Sequence, residues 1–203
     1  MIETILSWVA VALILITATT ILISRDWRIS LGALALQYLA AFWLLTRHLP
    51  FAMGTVKLIA GWMVAAILGM TRLGLPSHER TEEEGFFPRG QSFRIALMGI
   101  VALASMGAMT RIEAVIPGMG LPVIAGGLIL IGGGLVHLGV TTDMLRVTLG
   151  LLTMLAGFEV LYAAVESAIL VTGMLALVNL GLGIFGSYLL TAGSFPPETE
   201  VEE

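Results

Sequence analysis

Leu151-Leu-Thr-Met-Leu-Ala-Gly-Phe-Glu-Val-Leu-Tyr-Ala-Ala-Val165 sets the terms for the whole chain. The run is apolar on every side, so no helix face is left for water, and it carries a single charge, Glu159. A soluble amphipathic helix shows a polar stripe. A run of this kind, extended to Val147, instead has the length of a bilayer span, for which about 17 to 25 residues are needed. Working outward, six more stretches qualify: Ile5–Ser24, Ile29–Thr46, Ala52–Met70, Phe93–Met109, Leu121–Val140 and Ala168–Ala192. The sequence therefore predicts an all-α integral membrane protein of about seven transmembrane helices. Backbone groups in lipid must be bonded within their own segment, which excludes isolated strands, and the alternation of a barrel strand is absent.

Composition agrees. Hydrophobic residues make up 58% of the chain and charged residues 12%, with a mean hydropathy of +0.99. Soluble domains run near a quarter charged. Cysteine is absent, which excludes disulfides, thiolate metal sites and cysteine nucleophiles. Glycines such as Gly126, Gly127, Gly132, Gly133 and Gly134 fall inside apolar runs, where small residues let membrane helices approach closely. Net charge is −4 and no basic patch exists to neutralise phosphates, so nucleic acid is not an expected partner. Glu3 stands where a signal peptide would be basic, and the N-terminal run reads as a retained helix.

Basic residues bias toward the cytoplasm. With the N-terminus outside, the inner loops hold Arg25, Arg28, Arg72, Arg80, Arg89, Arg94 and Arg146, whereas the outer loops hold Arg47 and Arg111. Lys57 lies within the third span. This predicts an outside N-terminus, a cytoplasmic C-terminus, and a cytoplasmic polar segment, Ser77–Ser92, able to dock a soluble partner. Asp143, Arg146, Arg25, Asp26 and Arg28 lie in inner turns and read as topology determinants.

Arg28-Ile-Ser-Leu-Gly32 opens the second span and Arg146-Val-Thr-Leu-Gly150 opens the sixth, 118 residues later. The offset predicts two parallel three-helix units, 1–76 and 121–192. The first is followed by the polar loop 77–92 and by a crossover helix with its outer loop, 93–120. An acidic tail, 193–203, ends the chain. Parallel repeats occur among membrane transport folds.

No hydrolase elbow, phosphate loop, dinucleotide fingerprint or metal-ligand cluster is present. The candidates are polar groups at membrane depth, which are costly and mark function by default. Glu159 falls about 9 Å inside the outer end of its helix at ~1.5 Å per residue, too deep for a short carboxylate to reach water. It must be protonated, paired or beside internal water, and it is the candidate proton-transfer group. Lys57 lies about 8 Å below the outer end of the third helix. It either snorkels to the interface or pairs with Glu159, which stands at similar depth. Asn179 and Gln37 order water or join helices. Under the 118-residue offset Gln37 matches Leu155, one turn before Glu159. His137, near the inner end of the fifth helix, reads as interfacial.

The segment from Gly127 to Leu190 resembles the K subunit of respiratory complex I and its relatives, the C subunit of multi-subunit Na+/H+ antiporters and component E of hydrogenase-4. Gly127-Leu-Ile-Leu, a short charged turn ending at Arg146, and Gly157-Phe-Glu-Val-Leu-Tyr162 carry the likeness. With a chain of this length, hydrogenase-4 component E is the member most resembled. The resemblance implies a prokaryotic inner-membrane subunit that contributes a buried carboxylate, at Glu159, to proton translocation. Such a subunit binds no redox cofactor, is not catalytic alone, and works beside larger antiporter-like subunits. A second carboxylate is expected on the last helix of the unit, where Asn179 stands instead. A structural scaffold and an independent small-solute transporter are the alternative readings.

Overall fold

The computed structural model describes residues 2–75, 90–166 and 168–193. Most of the polar loop expected to dock a partner, and the acidic tail from residue 194, lie outside the described residues. All regular structure among the described residues is helical: α1 (Ile2–Ile23), α2 (Trp27–Leu45), α3 (Phe51–Gly74), α4 (Gln91–Val115), α5 (Leu121–Gly139), α6 (Met144–Val165) and α7 (Ile169–Ala192). All seven are long and apolar enough to cross a membrane.

The expected spans find their helices, several of them longer than expected, and the largest extensions are at the ends of α3 and α4. α3 continues past Met70 to Gly74 and takes Arg72 into its last turn; α4 continues past Met109 to Val115 and takes in Arg111 and Glu113, which the sequence reading left in loops. A hydropathy window closes at the first charges, whereas the helical hydrogen-bond ladder runs until something breaks it. For α4 that is Ile116-Pro-Gly118, followed by Gly118 and Gly120 at positive φ, 96° and 85°. The Glu113 side chain turns back to accept the main-chain N–H groups of both glycines, at 3.0 and 2.9 Å.

Asp26 and Asp143 have a role beyond topology. Each is an N-cap, its carboxylate accepting from Arg28 N in α2 and from Arg146 N in α6. Such caps satisfy main-chain donors that the first turn leaves without partners.

α5 and α6 pack most extensively against each other, and α1, α2 and α4 join α5 around the core. Glycines set the spacing. A Cβ at Gly157 would stand 2.7 Å from Gly127 O and 2.8 Å from Ile131 N, and one at Gly134 would stand 2.7 Å from Gly150 O. The two helices are in backbone contact at both crossings, the close approach that small residues permit. α3 and α7 pack on each other and close the opposite side, α3 against α2 and α7 against α6. α4 is peripheral: only Met98 and Ser105 of its residues are buried.

The start of α1, the connections 46–50 and 116–120, the end of α6 and the start of α7 share one face of the bundle. Arg47 pairs with Glu3 at 2.8 Å, and His48 Nε2 donates to Met119 O at 2.8 Å. On the far face, Arg94 of α4 and Arg146 of α6 donate to Leu22 O and Ser24 O at the end of α1.

Replacing Gly157 by Leu is expected to force α5 and α6 apart and to destabilise the bundle by about 1–3 kcal/mol, the usual cost of overpacking. Gly173→Ala, at a position with nothing within 4 Å of its Cβ, serves as the control. Unfolding of purified protein in mixed micelles measures both; equal midpoints for the two variants would refute the close crossing.

Candidate functional site

Four helices bring their polar side chains to one region of the interior. Lys57 extends from α3 and Glu159 from α6, and Lys57 Nζ lies 2.6 Å from Glu159 Oε1. Both side chains are only 4% exposed. Each residue lies about 9 Å along its helix from the face that carries the N-terminus, at ~1.5 Å per residue. The alternative left open by the sequence is thereby closed: Lys57 does not snorkel. Its four-carbon stem lies buried and its ammonium ends on the carboxylate.

The local sequence explains the geometry. Lys57, Gly61 and Val64 recur at three- and four-residue spacing and all are buried, so one face of α3 is turned into the bundle. On α6, Leu152, Ala156, Glu159 and Ala163 do the same. Small residues on these faces, Ala60 and Gly61 on α3 and Ala156 and Ala163 on α6, allow the two helices to bring long side chains together without displacing bulk.

One layer further from the N-terminal face, Tyr38 of α2 donates from its hydroxyl to Asn179 Oδ1 of α7 at 2.8 Å. Tyr38 is 4% exposed and Asn179 1%. The Tyr38 ring fills the notch left by Gly61, one turn below Lys57 on α3, and a Cβ there would collide with the ring. Gln37, its neighbour on α2, donates from Nε2 to Thr153 Oγ1 of α6 at 3.2 Å, while Gln37 Oε1 is buried without a hydrogen-bond partner.

Of the residues singled out in the sequence, the structure thus brings Glu159, Lys57, Asn179 and Gln37 into one region. His137 stands apart. It lies in the last turn of α5, 3% exposed, with its ring edge toward Gly150 and neither nitrogen hydrogen-bonded. The turn that carries it faces α6. Tyr38 and Thr153 were missed. Tyr38 left one signal, a tyrosine in the middle of a span, away from the interfacial belts where tyrosine normally concentrates. Threonine hydroxyls usually bond back to their own helix, so Thr153 left none.

Among the described residues no three His, Asp or Glu side chains converge as a metal site. What the arrangement offers is a carboxylate and an amine in contact, groups whose chemistry allows a proton to be shared, with the Tyr38–Asn179 and Gln37–Thr153 hydrogen bonds joining α2 to α7 and to α6. Comparison with protein-family models, curated proteins and solved structures finds no match.

Removing one partner of a buried ion pair strands the other charge, at a cost of about 3–5 kcal/mol. Lys57→Met is therefore expected to destabilise the protein by that order, and the Lys57→Met/Glu159→Leu double variant by much less than the sum of the two single changes. A double-mutant cycle on denaturant midpoints reads the difference. Additive effects would show that the two charges do not meet.

Proposed function

We propose that this chain is a non-redox subunit of a proton-translocating membrane assembly, of the kind formed by complex I, group 4 hydrogenases and multi-subunit Na+/H+ antiporters. The observation that carries this reading is the ion pair of Lys57 and Glu159, 2.6 Å apart and almost wholly removed from solvent. Ionisable groups within spans are expensive and mark ion pathways and proton relays. A salt bridge that served packing alone would be a poor choice, because well-packed apolar residues of similar volume hold helices together at least as well.

In this reading a proton arriving at the pair neutralises Glu159 and frees the ammonium, and its departure restores the contact. Gln37, Tyr38 and Asn179 set the field around it. Asn179 cannot change charge, so the next titratable station belongs to a neighbouring subunit. Few helices and one deep carboxylate are too little for an autonomous pump, which favours larger antiporter-like partners over independent solute transport. The N-terminus is assigned to the outside and the C-terminus to the cytoplasm of a prokaryotic inner membrane, following the excess of arginine on the far face.

The two-unit organisation belongs to the same reading. α3 and α7 both run for 24 residues, and the 118-residue offset carries Phe51–Gly74 onto 169–192, the bounds of α7. α1 packs on α5, α2 on α6 and α3 on α7, so corresponding helices face one another across the two units.

One observation favours a second reading, a structural scaffold: Lys57–Glu159, Tyr38–Asn179 and Gln37–Thr153 each join two different helices. Glu159→Gln separates the two, because it keeps shape and a hydrogen bond while removing the charge. Proton transfer by the assembled complex in native membranes is expected to fall by on the order of 10²-fold or more, the scale on which positioned proton-transfer groups act. An intact assembly that transfers protons at the parental rate would leave the scaffold reading standing.

A further inference from the structure

α2 and α3 are antiparallel neighbours, and their contacts keep one register from face to face. Near the N-terminal face Phe42 and Thr46 cover Gly54. Further down, the Tyr38 ring fills the notch at Gly61, and Trp62 Nε1 donates to Ala35 O at 3.0 Å. Lower still, a Cβ at Gly69 would stand 3.5 Å from Leu31 Cδ1. Arg28 lies three residues before Leu31 and Arg72 three residues after Gly69, so each continues, one turn on, the side of its helix that meets the other. The register thereby brings the two arginines level with each other at the far face. Among the described residues neither guanidinium has an ion-pair partner.

Like charges placed side by side repel, and α2 adds to the positive charge, because its N-terminal N–H groups lie at the same end and its first turn holds no acid. Asp26, the neighbouring carboxylate, is engaged by its capping bond to Arg28 N, and the exposed Arg25 beside it offsets its charge. Arg94 and Arg146, on the same face, are directed at carbonyls of α1. The Trp27 ring lies 5.3 Å from the Arg28 guanidinium, and tryptophan concentrates at membrane interfaces. Ile29 and Met70, one and two residues nearer the bilayer centre than the arginines, are exposed. We propose that the far-face end of the α2–α3 pair binds the headgroup of an anionic phospholipid, its phosphate held by Arg28 and Arg72. Guanidinium forks match phosphate oxygens, and basic pockets between spans bind lipid headgroups. A lipid is favoured over a free anion because the pair ends two spans and has apolar surface beside it. The proposal is independent of what Lys57 and Glu159 do.

Brominated acyl chains quench a tryptophan that they touch, and the quenching that disappears in Trp27→Phe is Trp27's own. Full-length protein is reconstituted in zwitterionic vesicles with a rising fraction of brominated phosphatidylglycerol or of brominated phosphatidylcholine. Half-quenching of Trp27 is expected at a fraction on the order of tenfold lower for the anionic lipid, the scale that two basic residues give at a membrane surface. The Arg28→Gln/Arg72→Gln double variant is expected to lose that preference. Arg25→Gln, which removes a charge from the same face and leaves the pair intact, is expected to change it by less than about twofold. Excess inorganic phosphate, added to the parental protein, is expected not to reverse the quenching. Should the double variant fold poorly, the comparison of the two lipids and the phosphate challenge on the parental protein still decide. Equal half-quenching by the two lipids, a preference that survives the double variant, or an equal loss in Arg25→Gln would each overturn the proposal. Reversal by phosphate would overturn it too, by making the site one for a free anion.

Discussion

An ammonium or a carboxylate placed alone in hydrocarbon costs several kcal/mol even after relaxation, and the two together are tolerated only when their geometry is good. That constraint governs the half of the bundle built by α2, α3, α6 and α7. Lys57 and Glu159 come from positions 102 residues apart, so their contact fixes the rotation and the height of α3 relative to α6. Once those are fixed, the position of Gly61 dictates where Tyr38 fits, and Tyr38 in turn draws in Asn179. Polar side chains thus perform a registering task that apolar side chains, indifferent to which lipid-like neighbour they meet, perform less strictly.

The other half of the molecule is held differently. Between α5 and α6 the contact is backbone on backbone at Gly127–Gly157 and Gly134–Gly150, with Ile124, Ile129, Leu130 and Val160 packed around it at 0% exposure. There is no solvent-driven hydrophobic gain between helices already in lipid, and close van der Waals approach replaces it. The bundle thus sets a crossing packed backbone on backbone, between α5 and α6, beside a contact made by two charged side chains, between α3 and α6.

Much of the architecture was legible in the sequence because a span is a property of one segment: its length, its apolarity and its lack of charge. Boundaries at Gly74 and Val115 escaped because hydropathy ends before the helix does. Depth along a helix is also a one-segment property, so Lys57 and Glu159 could be placed at matching heights. Their pairing could not be read, since it depends on the rotation of two helices packed by residues far away in the chain. Asn179 and Gln37 stood out as amides in lipid, but their partners, Tyr38 and Thr153, are ordinary in such helices and became visible only in space. The direction of His137 was hidden for the same reason: its place near an end of α5 is a one-segment property, whereas its packing toward α6 is not.

The end of α1 carries a consequence for biogenesis. This helix has no basic residue in its own last turn, and the carbonyls at Leu22 and Ser24 are met by guanidinium groups from α4 and α6, which are synthesised 72 and 122 residues later. That end of α1 is therefore tied to two helices made after it, and the first three helices made alone would lack the groups that meet these carbonyls.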